Sequence, residues 1–413
     1  MVGRWEALRC NVAAYLKVFL KGTVLSVPIG LVCGVLGGIF HIAVDLGSSF
    51  FGQYHWLLYF LPLAGLFIVW IYHAAGIYQD RGANLVLASL RTGEEIPPRM
   101  APLIFVSTVL TQLCGGSAGR EGAALQIGAG TASFLARAFR LKDRDSRQLT
   151  MCGMCALFSA VFGTPITAAL FSMEVYRVGR MRYSALFPCL SASITAWEVS
   201  RYMGTAGIAM PTLPATSADV GTVLRVLLLS LICAAASILF LVVMHSTHKL
   251  YLHFFNNPYL RAAAGGVLVV LTTLLLGSRN YNGAGMDIVA AAVGGSAVPW
   301  AFLAKILLTA LTIGAGYKGG EIVPSFFIGA TLGCTIGPLL GLDAGLAAAA
   351  GMVALFCSVV NCPVASMFLS VELFGGSHLW LFGLVCGVSY LMSGYYTLYA
   401  DQEIVYSKLW ADR

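Results

Sequence analysis

Four apolar stretches without a charged residue are each long enough to cross the hydrocarbon core of a membrane. They lie at residues 22–44, 56–79, 149–173 and 344–371, and a helix needs about 20 residues to span that core. Charged residues make up only 10% of the chain, against about 25% in soluble domains. The sequence therefore predicts an all-α, polytopic membrane protein and excludes a pair of soluble domains.

Several other apolar segments are too short to span a membrane and are interrupted by glycine or proline, as in residues 306–317. Such segments are typical of the discontinuous helices of transporters. Because lipid does not tolerate irregular backbone, these breaks must be buried in protein or line a water-filled cavity. We expect tilted and discontinuous helices around an aqueous pathway.

One glycine-rich stretch, GGSAGREGAALQIGAG at residues 115–130, combines features of an anion site. Its glycines allow sharp turns and a close approach to a ligand, and the run that follows predicts a helix beginning near Glu121. The free N–H groups and positive dipole end of a helix N-terminus bind anions. Glu121 can itself occupy the anion's place and leave it on protonation. The glycine spacing alone also fits a chance pattern or a distorted dinucleotide loop.

The two halves of the chain share three blocks of sequence in the same order, which indicates an internal duplication. PVASMFLSVELF from Pro363 aligns with PITAALFSMEVY from Pro165, Gly319-Gly320-Glu321 aligns with Gly119-Arg120-Glu121, and residues 285–289 align with 82–86. Two half-helices that begin near Glu121 and Glu321 meet at one midplane site only if the repeats are inverted. The predicted site is the meeting point of the two glycine-rich turns.

The repeats define the predicted organisation of the chain. Residues 18–202 form the first membrane repeat and residues 220–407 the second, joined by a linker at 203–219. Residues 1–17 form the N-terminal segment, whose cytoplasmic location is implied by the family resemblance below, and residues 408–413 form a short tail with no regulatory domain. The basic loop RVGRMR at 177–182 is placed on the cytoplasmic side by the positive-inside tendency.

GREGAALQIG, PITAALFSMEVY and GGEIVPSFFIGATLG together resemble the chloride channel (CLC) family of anion channels and anion/proton antiporters. The resemblance implies a homodimer with one anion pathway per subunit, two inverted halves, 18 mostly tilted helices and cytoplasmic termini. It implies that Glu121 is the external gating glutamate. The inner tyrosine that closes the site is matched best by Tyr406, with Tyr399 as the alternative. The implied anion-binding residues are Gly82, Ala83, Asn84, Gly119, Arg120, Gly122, Gly320, Ile322, Val323 and Tyr406.

Three departures from the chloride-transporting members carry information. The serine of their first helix turn has no counterpart near Gly82, their internal proton-relay glutamate is replaced by Val175, and Glu321 starts the second pore helix. These changes resemble the fluoride/proton antiporter branch of the family. A protonated Glu321 can donate a hydrogen bond to fluoride and take part with Glu121 in proton transfer; the alternative is a helix-start acid without a transport role. We expect Glu174 and Glu372 to anchor backbone N–H groups.

These features predict a secondary active transporter, a proton-coupled fluoride exporter of the bacterial inner (plasma) membrane that confers fluoride resistance. The alternative is a chloride channel or chloride/proton antiporter. An intramembrane hydrolase is disfavoured because the sequence contains no H-E-x-x-H motif. The expected partners are fluoride, with chloride as the alternative anion, protons, membrane lipids and a second copy of the chain. We predict no cofactor, metal or nucleic acid, since the net charge of +7 is diffuse.

Overall fold

The computed structural model describes residues 2–205, 207, 210–214 and 219–408, and the two halves of this part of the chain contain eight α-helices each. The first half comprises α1 Val2–Gln53, α2 Leu61–Ala74, α3 Ala83–Thr92, α4 Met100–Leu113, α5 Glu121–Ala138, α6 Asp143–Phe162, α7 Pro165–Glu174 and α8 Leu186–Tyr202. The second comprises α9 Val220–Phe254, α10 Pro258–Leu276, α11 Met286–Val293, α12 Ala301–Gly314, α13 Ile322–Ile336, α14 Ala344–Val360, α15 Pro363–Phe374 and α16 Leu379–Met392.

Short elements complete the fold. Single 3₁₀ turns occur at His55–Phe60, Tyr183–Ala185, Pro338–Leu340 and Gly376–His378. Two strands, β1 Arg177–Val178 and β2 Glu403–Ile404, pair in parallel. They tie the chain after α16 to the loop that follows α7.

The described residues contain 16 α-helices, two fewer than the 18 implied by the family resemblance. Residues 2–53 form one continuous helix that passes the expected boundary between residues 17 and 18 without a break, and residues 403–404 are extended. Helices α8 and α9 flank the predicted linker at 203–219. Residues 206, 208–209 and 215–218 of that linker, and 409–413 of the predicted tail, lie outside the described residues.

Two of the four long apolar stretches are each divided into two helices. Residues 149–173 break between α6 and α7, where Gly163 has a φ of +80°, and residues 344–371 break between α14 and α15, where Asn361 has a φ of +55°. Pro165 and Pro363 then open the next helices, since proline fits the first helical turn but not the interior. The breaks therefore create two additional helix N-termini, those of α7 and α15.

Helices α6 and α14 form the centre of the molecule. Leu149–Phe162 of α6 and Gly345–Val360 of α14 are buried throughout. Each packs closely on a neighbour: a Cβ on Gly128 of α5 would overlap the carbonyl oxygen of Gly153, and a Cβ on Gly329 of α13 would overlap that of Gly351. Matched glycine contacts therefore bring each pore helix against its central helix.

The outer helices present apolar side chains to their surroundings. Four helical segments of the described chain are long and apolar enough to cross a membrane: Phe19–Gln53, His55–Ala74, Val220–Phe254 and Pro258–Leu276. Large apolar side chains on them are exposed, such as Val24 at 69% and Leu275 at 88%, as expected in lipid. The protein is an integral, multi-pass membrane protein.

The apolar segment 344–355 at the start of α14 contributes no outer surface, since residues 345–355 are buried within one subunit. They are buried because α14 is central.

Candidate functional site

The two glycine-rich turns meet through a pair of backbone hydrogen bonds. The N–H of Gly119 donates to the carbonyl oxygen of Gly320 at 2.7 Å, and the N–H of Gly320 donates to that of Gly119 at 2.8 Å. A Cβ on Gly320 would lie 2.5 Å from the backbone nitrogen of Gly122, so the contact requires glycine. Helices α5 and α13 start directly after this antiparallel bridge, as the inverted repeat predicts.

Glu121 is the first residue of α5, and its side chain is 1% exposed. Its carboxylate accepts a hydrogen bond from the N–H of Arg120 at 3.0 Å, and the backbone N–H of Val323 also donates to it. The carboxylate therefore lies between the N-termini of α5 and α13. This is the position in which helix N-termini bind an anion.

The alignment of the two pore helices from sequence is wrong by one residue. Gly119 pairs with Gly320, and α5 and α13 begin at Glu121 and Ile322. Glu321 is consequently the equivalent of Arg120, and each residue precedes its helix as the N-cap. The backbone bridge sets this register, and it is not visible in the order of glycines and acids.

The structure brings most of the predicted site residues together. Around the bridge lie Gly119, Arg120, Gly122, Gly320, Ile322 and Val323. Arg120 turns to one side of the site, where its guanidinium binds Asp45 at 2.6 Å. Asp45 is also 2.9 Å from the imidazole of His41. The guanidinium is thereby held beside the bridge rather than in it.

A cavity of about 650 Å³ opens on the other side of the bridge, and Glu321 lies in its wall. The side chain of Glu321 is half-buried and caps no N–H of α13. Gly82, Ala83 and Asn84 at the start of α3 line the same cavity. The two carboxylates of the site thus differ in access: Glu121 is enclosed by helix N-termini, and Glu321 faces a space large enough for water.

An ion pair in the cavity wall joins the two repeats. Asp80, in the loop between α2 and α3, lies 2.7 Å from the ammonium of Lys318, and their side chains are 7% and 19% exposed. Burial alone would raise the pKa of the Asp80 carboxyl, but Lys318 and the N–H of Gly82 favour its charged form and bring the pKa below its ordinary value. Sequence reasoning missed this pair, although Lys318 stands three residues before Glu321.

The structure places the two candidate inner tyrosines differently. Tyr399 is 3% exposed and lines the cavity, and its hydroxyl has no hydrogen-bond partner among the described residues. Tyr406 is 66% exposed, with its ring against Gly179. The expectation that Tyr406 closes the site is therefore not supported. The pairing of β2 with β1 carries residue 406 to the surface and leaves Tyr399 at the cavity.

A family model described as voltage gated chloride channel matches residues 64–394 of the chain. The chain belongs to the voltage gated chloride channel family. Within it, the chain is 34% identical over 400 residues to a "Chloride/fluoride channel protein" of Pseudomonas syringae pv. tomato (strain ATCC BAA-871 / DC3000), an alignment that covers 95% of this chain and 88% of the relative.

Solved structures of the family have the same fold. The crystal structure of a CLC-type fluoride/proton antiporter superimposes with a TM-score of 0.90 at 34% identity, covering 94% of this chain and 99% of that one. A slow cyanobacterial Cl⁻/H⁺ antiporter superimposes with a TM-score of 0.80 at 17% identity, covering 90% and 94%. The chain therefore has the CLC fold of two inverted repeats.

The position of the internal relay glutamate in chloride-transporting CLC members is closed here. Val175 is fully buried, and the amide of Gln402 donates hydrogen bonds to the carbonyl oxygens of Val175 at 2.8 Å and Val360 at 2.7 Å. Its own oxygen accepts a hydrogen bond from the hydroxyl of Thr397 at 2.6 Å. The valine side chain at this position has no group that could carry a proton.

Glu174 and Glu372 anchor helices rather than line the cavity. Glu174 accepts hydrogen bonds from the N–H groups of Val364 at 3.2 Å and Ala365 at 2.9 Å, at the start of α15. Glu372 accepts two from the start of α7, at 2.8 Å each. Each carboxylate caps the helix N-terminus created by the break in the other repeat, and both acids anchor backbone N–H groups as the sequence predicts.

Proposed function

We propose that the chain is a proton-coupled fluoride exporter, a secondary active F⁻/H⁺ antiporter. The observation that carries this proposal is the pair of acids at one site: Glu121 lies between two helix N-termini, and Glu321, directly after the bridge residue Gly320, lies in the wall of a cavity. The likeness to a CLC-type fluoride/proton antiporter and to a chloride/fluoride channel protein supports it.

Glu121 acts as the exchanging gate in this mechanism. Ionised, its carboxylate accepts the N–H groups of Arg120 and Val323 that fluoride would otherwise use. Protonation removes the negative charge and weakens these contacts, so that an anion can take the carboxylate's place. Anion entry is thereby linked to uptake of one proton by Glu121.

Glu321 supplies the second proton-carrying group. Desolvation and the nearby Glu121 charge favour its neutral form while the site is closed to water. A neutral carboxyl donates a hydrogen bond, which suits a small and strongly basic halide, whereas a charged one would repel it. Because Glu321 also faces the cavity, it can exchange its proton with water there, and no acid is required at Val175.

The cavity is assigned to the cytoplasmic side of a bacterial plasma membrane, with both termini cytoplasmic. Tyr399 lines it, and the chain just beyond Tyr399 pairs with β1 at the start of the basic loop 177–182. Basic loops favour the cytoplasmic side. Fluoride would enter from the cytoplasm, protons would flow inward, and the cell would gain fluoride resistance. The homodimer implied by the family is part of this proposal.

The test is ion flux from liposomes that contain the purified protein, measured with fluoride and chloride electrodes and an internal pH dye. We expect an outward fluoride gradient to drive protons inward against their own gradient. Chloride flux of equal rate, or fluoride flux that moves no protons, would overturn the proposal. The first result would favour a chloride transporter and the second a passive channel. Glu121→Gln protein serves as the uncoupled reference.

A further inference from the structure

Lys305 is a fully buried lysine in the first half of α12. Its ammonium donates hydrogen bonds to the carbonyl oxygens of Gly283 at 2.7 Å and Tyr281 at 3.2 Å, and it lies 5.1 Å from the centre of the Phe327 ring. It forms no ion pair with a carboxylate among the residues that the structure describes. A charge at membrane depth is costly, and one that persists there marks a functional site by default.

The fold itself does not require a cation at this position. Helices α4 and α12 are equivalent in the two repeats. Each is 14 residues long, and they begin at Met100 and Ala301. The residue equivalent to Lys305 is Ile104, which is 1% exposed. An apolar side chain therefore fills the same place in the first repeat, and only the second repeat carries the charge.

The segment that Lys305 binds lies directly behind the Glu121 turn. The N–H of Gly283 donates a hydrogen bond to the carbonyl oxygen of Gly116 at 3.1 Å. The hydroxyl of Ser117 donates one to the backbone carbonyl oxygen of Tyr281 at 2.9 Å. Gly116 and Ser117 belong to the turn that leads to Glu121, so one hydrogen-bonded segment separates the Lys305 ammonium from this turn. Neutral carbonyl oxygens thus hold Lys305 in place, and no carboxylate in contact neutralises a charge on its ammonium.

We propose that Lys305 is a positioning residue whose fixed positive charge holds the ionised Glu121 carboxylate, or the anion that replaces it, at the meeting helix N-termini. This inference rests on the proposed exchange function and adds a group to it. Both occupants of the site carry one negative charge, so a buried cation stabilises each of them against the neutral, empty state. Protonated Glu121 is neutral and is not stabilised by this cation, so its side chain leaves the helix N-termini more readily.

The other cations near Glu121 are in contact with acids. Arg120, which also acts on the neighbouring Glu121 carboxylate, is paired with Asp45, and Lys318 is paired with Asp80. Among the described residues, Lys305 has no acidic partner in contact. Other titratable groups near the site are Tyr281, the exposed Asp287 and the cavity-lining Tyr72, His73, Tyr78, His245, His248, Arg261, Tyr317, Glu321 and Tyr399.

The test compares the pH dependence of fluoride efflux from liposomes for the wild-type protein, Lys305→Gln and Lys305→Arg. Gln keeps a donor for the Gly283 carbonyl and removes the charge, whereas Arg keeps the charge. Without the positive charge of Lys305, Glu121 becomes protonated at a higher pH. We expect the pH of half-maximal efflux to rise by about one unit in Lys305→Gln and to stay near the wild-type value in Lys305→Arg.

A second background separates charge from structure. In Glu121→Gln protein the gate cannot titrate, so adding Lys305→Gln should no longer move the pH midpoint. An unchanged midpoint in Lys305→Gln alone would overturn the inference, and so would an equal shift in Lys305→Arg. Failure of both Lys305→Gln and Lys305→Met to fold, while Lys305→Arg folds, would assign Lys305 to the fold instead. Absence of fluoride flux in the wild-type protein would refute the proposed function itself, not this inference alone.

Discussion

Arg120 and Glu321 are structurally equivalent residues of opposite charge. Each is the N-cap of its pore helix, with φ and ψ of −114° and −11° at Arg120 and −97° and −11° at Glu321. Because the repeats are inverted, the two side chains leave the bridge toward opposite sides. Arg120 reaches Asp45, and Glu321 reaches the cavity. One mouth of the site therefore carries a paired cation, and the other carries an acid.

Replacing Glu321 should separate fluoride binding from proton transport. Glu321→Gln keeps a hydrogen-bond donor but carries no exchangeable proton, so fluoride binding should outlast coupled proton movement. Glu321→Ala removes both and should weaken fluoride binding about tenfold or more, since a hydrogen bond to a charged group contributes about 1.5–3 kcal/mol. Calorimetry measures fluoride binding, and proton uptake by liposomes measures the coupled proton transport. Normal coupled flux in Glu321→Ala would reduce Glu321 to a helix-start acid.

Glu121→Gln should uncouple the two ions. The amide imitates the protonated carboxyl in shape but cannot deliver a proton, so fluoride should still move, at an altered rate, without proton transport. Fluoride efflux and internal pH recorded in the same vesicles test this directly. Proton uptake against a gradient in this variant would show that Glu121 is not the gate.

Two tyrosines provide a matched pair of variants. Tyr399→Phe removes a buried hydroxyl that has no partner within the described structure and lines the cavity, so it should change the fluoride flux. Tyr406→Phe alters an exposed ring and should leave the flux within about twofold of wild type, because exposed substitutions have little effect. The opposite ranking of the two fluxes would restore Tyr406 as the inner tyrosine.

The reciprocal caps should matter for stability and not for coupling. Glu174→Gln or Glu372→Gln weakens two hydrogen bonds to a helix N-terminus, which should lower the free energy of unfolding by about 1–3 kcal/mol. Glu95→Gln is the control, since Glu95 pairs with Arg137 at the surface with 80% of its side chain exposed, and such pairs contribute little. Thermal unfolding in detergent ranks the three variants. A changed proton-to-fluoride ratio in Glu174→Gln would instead make it a proton carrier.

Local signals predicted much of the fold correctly. The start of α5 at Glu121 follows from its glycines and helix formers, and the starts of α7 and α15 follow from Pro165 and Pro363. These helix starts depend on residues that are adjacent in the chain, so they can be predicted from the sequence. The caps made by Glu174 and Glu372 were expected because the two blocks align.

The features that sequence reasoning missed depend on contacts between distant segments. The pairing of Gly119 with Gly320 fixes the helix register to one residue, and composition cannot resolve so small a shift. The choice between Tyr399 and Tyr406 depends on the path set by β1 and β2. The Asp80–Lys318 pair joins two loops more than 200 positions apart, and neither loop alone indicates it.

The double hydrogen bond between Gly119 and Gly320 also limits how the protein can move. A rocking motion of one repeat against the other would separate these residues, break both bonds and leave their N–H and C=O groups unpaired in a dry interior. For the proposed antiporter, we therefore expect the pore helices to stay joined at the bridge while access alternates through rotation of a few side chains. Turnover would then depend on rotamer barriers and local proton exchange, not on the slow rearrangement of whole domains.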